Sequence, residues 1–134
     1  MSTPFGPQLI GETEKTLNAL LHRFLKGSGL SEPQWVTLRL ADLLDGTVGT
    51  DGLVAAVADR AHFPDAVTLV GELTDRGVLN DGRLTSSGRE LATAIQATMT
   101  TQTAPIWEDL PADDVAAATR VLNEVATRAR GVLR

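Results

Sequence analysis

Two histidines, His22 and His62, and no cysteine are the imidazole and thiolate ligands available to this 134-residue chain. They stand far apart, without carboxylates at ligand spacing, so zinc has no set of donors here. Disulfide frameworks, zinc ribbons and cysteine nucleophiles are excluded together. The acidic pair Asp113-Asp114 could serve acid–base work, but it directly follows Pro111-Ala112 where a helix begins, and the positive end of the helix dipole accounts for it. No Gly-rich phosphate loop, Gly-x-Ser-x-Gly elbow or His-Glu-x-x-His pattern is present. The expectation is a protein that is not an enzyme and carries no metal or cofactor. Its remaining chemistry is recognition, through arginines that pair with anions and through Trp35 and Trp107, which offer flat apolar walls.

Twelve basic against seventeen acidic residues leave a net charge of −5. Coating nucleic acid indiscriminately is disfavoured, because phosphate neutralisation supplies most of that affinity. A reader of DNA would need its cations arranged locally. The length suits one domain whose core forms without staples. No uncharged stretch reaches the roughly 18 residues of a membrane span, and residues 1–10 lack the basic and apolar regions of a leader. With no cysteine, the residue usage suits a reducing cytoplasm.

The elements that would hold these groups follow from apolar spacing. After a Pro/Gly lead over residues 1–7, Ile10, Leu17, Leu20, Leu21, Phe24 and Leu25 recur at helical intervals until Gly27 and Gly29. Ser31 and Gln34 form a capping box with Pro33 in the first turn, and Val36, Leu40, Leu43 and Leu44 predict one inward face up to Asp45-Gly46. Thr50 or Asp51 is expected to cap a short helix with Leu53, Val54, Val57 and Ala58 inward. After His62-Phe63, Pro64 is expected at the first position of another, with Val67, Val70 and Leu73 on one face and Arg76-Gly77 at its end. Two short helices joined by a tight turn predict a helix-turn-helix. Val78-Leu79, Asn80-Asp81-Gly82 and Arg83-Leu84 then read as a very short hairpin on an Asp-Gly turn.

Thr85, or Ser87 with Glu90, opens a helix with Leu91, Ile95, Met99 and Ile106 inward, expected to be disturbed near Pro105. In the last helix Val115, Ala118, Leu122, Val125, Ala129 and Val132 are spaced alternately three and four apart, the seam of a helix that packs lengthwise on another. Helix one of the same chain or a second copy could supply that partner, and a homodimer of exchanged terminal helices is the expectation.

The order of these elements resembles the MarR family of winged helix-turn-helix transcriptional regulators. Ser31-Glu32-Pro33-Gln34-Trp35-Val36-Thr37-Leu38-Arg39-Leu40 is similar to that family's second helix. Val67-Thr68 through Leu73 to Arg76-Gly77-Val78-Leu79 resembles its recognition helix running into the first wing strand. Asp81-Gly82-Arg83-Leu84-Thr85-Ser86-Ser87-Gly88-Arg89-Glu90-Leu91 resembles its Asp-x-Arg element, Leu-Thr and the Gly opening the fifth helix. The similarity runs over residues 8–133. It implies a mainly α fold in one domain, with residues 8–30 and 86–134 as dimerisation helices and residues 31–85 as the winged lobe.

It also implies a cytoplasmic, homodimeric, DNA-binding transcription regulator. The wing departs from the family pattern: ten or more residues with several cations are usual between its strands, and here residues 80–84 cut it to its turn. At about 3.3 Å per residue such strands reach less than about 10 Å. By the resemblance Thr68 would meet the major groove, with Asp65, Leu69 and Glu72 at neighbouring recognition positions. Arg83 would sit at the wing and Arg39 or Arg60 on phosphates. Six acids against four bases over residues 46–89 predict weak nonspecific affinity. The family's small aromatic or anionic ligands imply His22, Trp35, Arg39 and Trp107 as residues to inspect, although core or dimer packing is the favoured reading of both tryptophans, because apolar helix positions usually mean core. The alternative is a protein-interaction or ligand-sensing module that kept the fold and lost ordinary DNA binding.

Overall fold

The computed structural model describes residues 2–134. Its order is α1 (Pro7–Leu25), α2 (Glu32–Leu44), α3 (Thr50–Ala56) prolonged by a π-helical turn (Val57–Ala61), α4 (Ala66–Asp75), strands β1 (Leu79–Asn80) and β2 (Arg83–Leu84), α5 (Ser86–Trp107) and α6 (Ala112–Leu133). The protein is therefore mainly helical. Two compact units divide it, the first ending at Met99 and the second comprising Thr100–Arg134. No helix among the described residues is long and apolar enough to cross a membrane.

In the first unit the core gathers where α2, α3, α4 and the hairpin meet, around Leu38, Leu53, Val57, Val70, Leu73 and Leu79. The capping box of α2 forms as expected: Gln34 N donates to Ser31 Oγ at 3.2 Å, and Ser31 N donates to Gln34 Oε1 at 3.0 Å. Of its expected inward face, Leu40 and Leu44 pack against the core only in part, and the fully buried residues lie on a neighbouring stripe. Trp35, Thr37, Leu38 and Ala41 point inward, whereas Leu43 is exposed. Leucines outnumber the positions one helix stripe can bury, so spacing alone allowed two phases and packing selected the one containing Trp35.

The turn between α3 and α4 shifts the next helix in the same way. His62 takes a left-handed conformation after the π turn, and Asp65 stands at the cap of α4. Pro64 thus precedes the helix instead of opening it. The inward stripe becomes Ala66, Leu69, Val70 and Leu73, a regular i, i+3, i+4, i+7 pattern, and Val67 is left 72% exposed. At the start of α3, Gly49 is the cap and neither Thr50 nor Asp51 supplies a side-chain bond.

Helix α4 ends in a Schellman arrangement. Val78 N donates to Leu73 O at 3.1 Å and Gly77 N to Thr74 O at 3.0 Å, with Gly77 left-handed at φ 84°. Leu73 and Val78 are both buried beside this turn. The hairpin pairs Leu79 with Leu84 and Asn80 with Arg83. Asp81 and Gly82 both have positive φ, 52° and 76°, the signature of the type I′ turn that Asp-Gly favours. Thr85, not Ser87, caps α5: its hydroxyl donates to Gly77 O at 2.6 Å and accepts from Gly88 N at 3.0 Å. Helix α5 continues through Pro105 to Trp107 without ending there.

In the second unit, α6 carries Asp113 and Asp114 in its first turn and Arg130 in its last, the charge order expected from the dipole. None of its residues is buried. Val115, Leu122, Val125 and Val132 of the seam are all exposed, Val132 at 85%.

Candidate functional site

The outer face of α4 consists of Val67, Thr68, Gly71, Glu72 and Asp75, all exposed. It follows from the packing phase: once Ala66, Leu69, Val70 and Leu73 face the core, these residues fall on the opposite side. Leu69, expected among the contact residues, is 4% exposed and belongs to the core. It lies three residues from Ala66 and four from Leu73, on the stripe that must be buried. Asp65 and Thr68 are exposed at the start of the helix.

An open groove of about 530 Å³ runs between α3 and α4, lined by Val54, Ala55, Val67 and Val70 and by the carboxylate residues Asp51 and Asp75. Neither helix contains a lysine or arginine. The surface is accordingly aliphatic and acidic.

Arg76, Arg89 and Arg39 are turned to other tasks. Arg76 donates from Nη1 to Gly29 O at 2.8 Å and from Nη2 to Ser28 O at 3.2 Å, tying the end of α4 to the link between α1 and α2. Arg89 lies 3.9 Å from Asp42, which also stands 3.7 Å from Arg39. These exposed pairs are individually weak, but they hold the side chains near α2. Arg60 is exposed at the end of the π turn and forms no ion pair among the described residues.

The hairpin tip does not project freely. A β-carbon on Gly82 would lie 2.8 Å from Gly49 O, and one on Gly49 would lie 3.3 Å from Asp81 Oδ1, so the two glycines let the tip settle on the start of α3. Arg83, although exposed, has its guanidinium folded over Gly46. The short wing expected from residues 80–84 is thus seated against the link between α2 and α3. Arg83 is the tip's sole cation, and it lies back over that link.

Of the ligand candidates in the first unit, Trp35 and Arg39 lie together on α2, and His22 lines a different surface. Trp35 is 4% exposed and belongs to the core cluster, the packing reading of its apolar helix position. Arg39 lies one turn along, its guanidinium carbon 5.9 Å from the Trp35 ring centroid. His22 lines a separate shallow depression of about 370 Å³ with Lys26, Leu30 and Pro33. Trp107 is 57% exposed and belongs to the second unit. No group of three His, Cys, Asp or Glu among the described residues is placed to hold a metal ion.

The outward place of Val67 and Gly71 and the contact of the Gly82 turn with Gly49 have no local signal in the sequence. Apolar spacing groups Val67 with Val70 and Leu73 on one face, and one glycine in a helical pattern is tolerated and so carries no signal. No family model, curated protein or solved structure matches the chain.

Proposed function

We propose that the chain is a DNA-binding transcriptional regulator of MarR type, a winged helix-turn-helix protein that works as a cytoplasmic homodimer. The observation that carries this reading is the exposed outer face of α4. It is the second of two short helices joined by a tight turn, its first turn carries Thr68 outward, and a hairpin follows it directly. The resemblance of residues 31–91 to the family's motifs supports the same assignment. Exposed apolar positions along α6 and half-buried ones along α1 favour pairing with a second copy, which would present two α4 faces to successive major grooves about 34 Å apart. A small aromatic or anionic effector near Arg39 would act by changing that separation.

A fluorescence-anisotropy titration against the chain's native upstream DNA at low salt tests the reading. Preference over random duplex of the same length is expected, and equal binding to both overturns it.

The acidic, aliphatic groove between α3 and α4 favours a second reading, a module that uses this face on a basic protein partner. On that reading, reversing the charges at Glu72 and Asp75 raises affinity for random duplex and leaves dimerisation unchanged. No gain in affinity counts against it.

A further inference from the structure

The apolar seam of α6 reads the same from either end. Val115 and Val132 close it, Ala118 and Ala129 lie next inside, and Leu122 and Val125 stand at its centre, each pair equally far from a point between Asn123 and Glu124. The steps of three and four residues mirror about that point as well. All six side chains are exposed, and Val121 and Leu133 widen the stripe at 43% and 72% exposure. An aliphatic face of this length is unfavourable in water and is expected to be covered.

Resting on the homodimer in the reading above, we infer that α6 is covered by α6 of a second copy running in the opposite direction, with the two-fold axis passing between Asn123 and Glu124. A two-fold interface brings residue i of one copy to j of the other and j to i, so a helix pairs with its own reversed image only when its contact positions are symmetric about one point. The six positions of α6 meet that condition. Bulk also falls opposite like bulk: Val115 on Val132, Ala118 on Ala129 and Leu122 on Val125 of the other copy. The alanine layers let the two backbones approach.

Charge selects the direction. Asp113 and Asp114 stand in the first turn of α6 and Arg130 in its last, followed by Arg134. None of these four enters an ion pair among the described residues, whereas Arg128 is held by Glu124 at 3.0 Å. Two copies lying in the same direction would set acid beside acid and arginine beside arginine, with their helix dipoles also opposed to pairing. Reversed, the acidic end of each lies along the arginine end of the other, and the dipoles attract. Helix α1 is the less suitable mate. Its Leu25 is buried and its Leu21 packs against the core of the first unit, so part of its stripe is already covered.

The chain has no cysteine of its own, so introduced thiols report the pairing. Full-length Ala118→Cys and Ala129→Cys, one of them tagged, are mixed under reducing conditions, left to exchange and oxidised. Cross-linked dimers holding one chain of each variant are expected. Neither variant alone should cross-link, because its two thiols lie about 16 Å apart along the axis, far beyond disulfide reach. Val115→Cys mixed with Val132→Cys repeats the test at the ends of the seam, and helical circular dichroism checks that each variant is folded. Cross-linking of Ala118→Cys with itself shows a parallel pair. A wild-type dimer whose variants cross-link in no combination shows α6 facing something else. Either result overturns the inference and leaves the homodimer standing, whereas a wild-type chain that sediments as a monomer at micromolar concentration overturns both.

Discussion

The guanidinium of Arg83 occupies the space over Gly46 that a side chain at residue 46 would need. Gly46 also adopts φ 71°, so two constraints coincide at one position. Their costs are separable, because Arg83 is the flexible end of an exposed side chain and can swing aside. Gly46→Ala is expected to destabilise the protein by about 1–2 kcal/mol, almost wholly from the left-handed backbone. In an Arg83→Ala background nearly the same loss should appear in urea melts, so the coupling in a double-mutant cycle stays small.

Gly88 faces a harder neighbour. A β-carbon there would run into the carbonyl of Val78, which already accepts from Thr85 N at 3.1 Å. Backbone cannot step aside as a side chain can. Gly88→Ala should cost about 2–3 kcal/mol by overpacking the junction of α5 with β1, whereas Gly131→Ala, with open space around it, should be neutral or stabilising. Chemical denaturation of both variants checks the contrast.

The exposed seam of α6 predicts the oligomeric state. Leu122 and Val125, both more than two-fifths exposed in the chain alone, should be covered in a dimer. Val125→Asp is expected to shift sedimentation from dimer to monomer and leave the helical signal of the first unit in place. A wild-type protein that sediments as a monomer at micromolar concentration would overturn the pairing.

At the start of α1, Gln8 Nε2 donates to Glu12 Oε1 at 2.8 Å and Thr3 Oγ1 to Glu12 Oε2 at 2.9 Å. These bonds, Gln8's first, hold the Glu12 carboxyl below the ordinary glutamate range. The charged form is the bonded one, so the tether is present above the unfolded-state value and fades as pH falls through the folded one. The carboxyl-carbon titration of Glu12 by NMR should move upward in Gln8→Ala, and by a smaller step in Thr3→Ala.

Arg76 shows why a count of charges was insufficient for the site. Four cations over residues 46–89 were visible in the chain, but which of them face outward toward a partner depends on contacts 47 and 48 residues distant, to Gly29 and Ser28. Such pairings leave no local pattern. Val67 has the same lesson in another form. Its helix was evident from spacing, but Ala66 and Val67 are both apolar, and a shift of one residue rotates the stripe by about 100°.

The chain alone determined the elements whose causes are local. The Ser31–Gln34 capping box, the Asp81-Gly82 turn, the Gly77 terminator and the charge order of α6 each need only residues within one turn of one another, so short-range hydrogen bonding and backbone preference suffice to specify them. The phase of each helix was settled by long-range packing. Burying Trp35 and Leu69 instead of Leu43 and Val67 minimises apolar exposure jointly over α2, α3, α4 and the hairpin, a condition no single segment can express. That joint burial turns Val67, Thr68, Gly71 and Glu72 outward and seats the hairpin tip against Gly49.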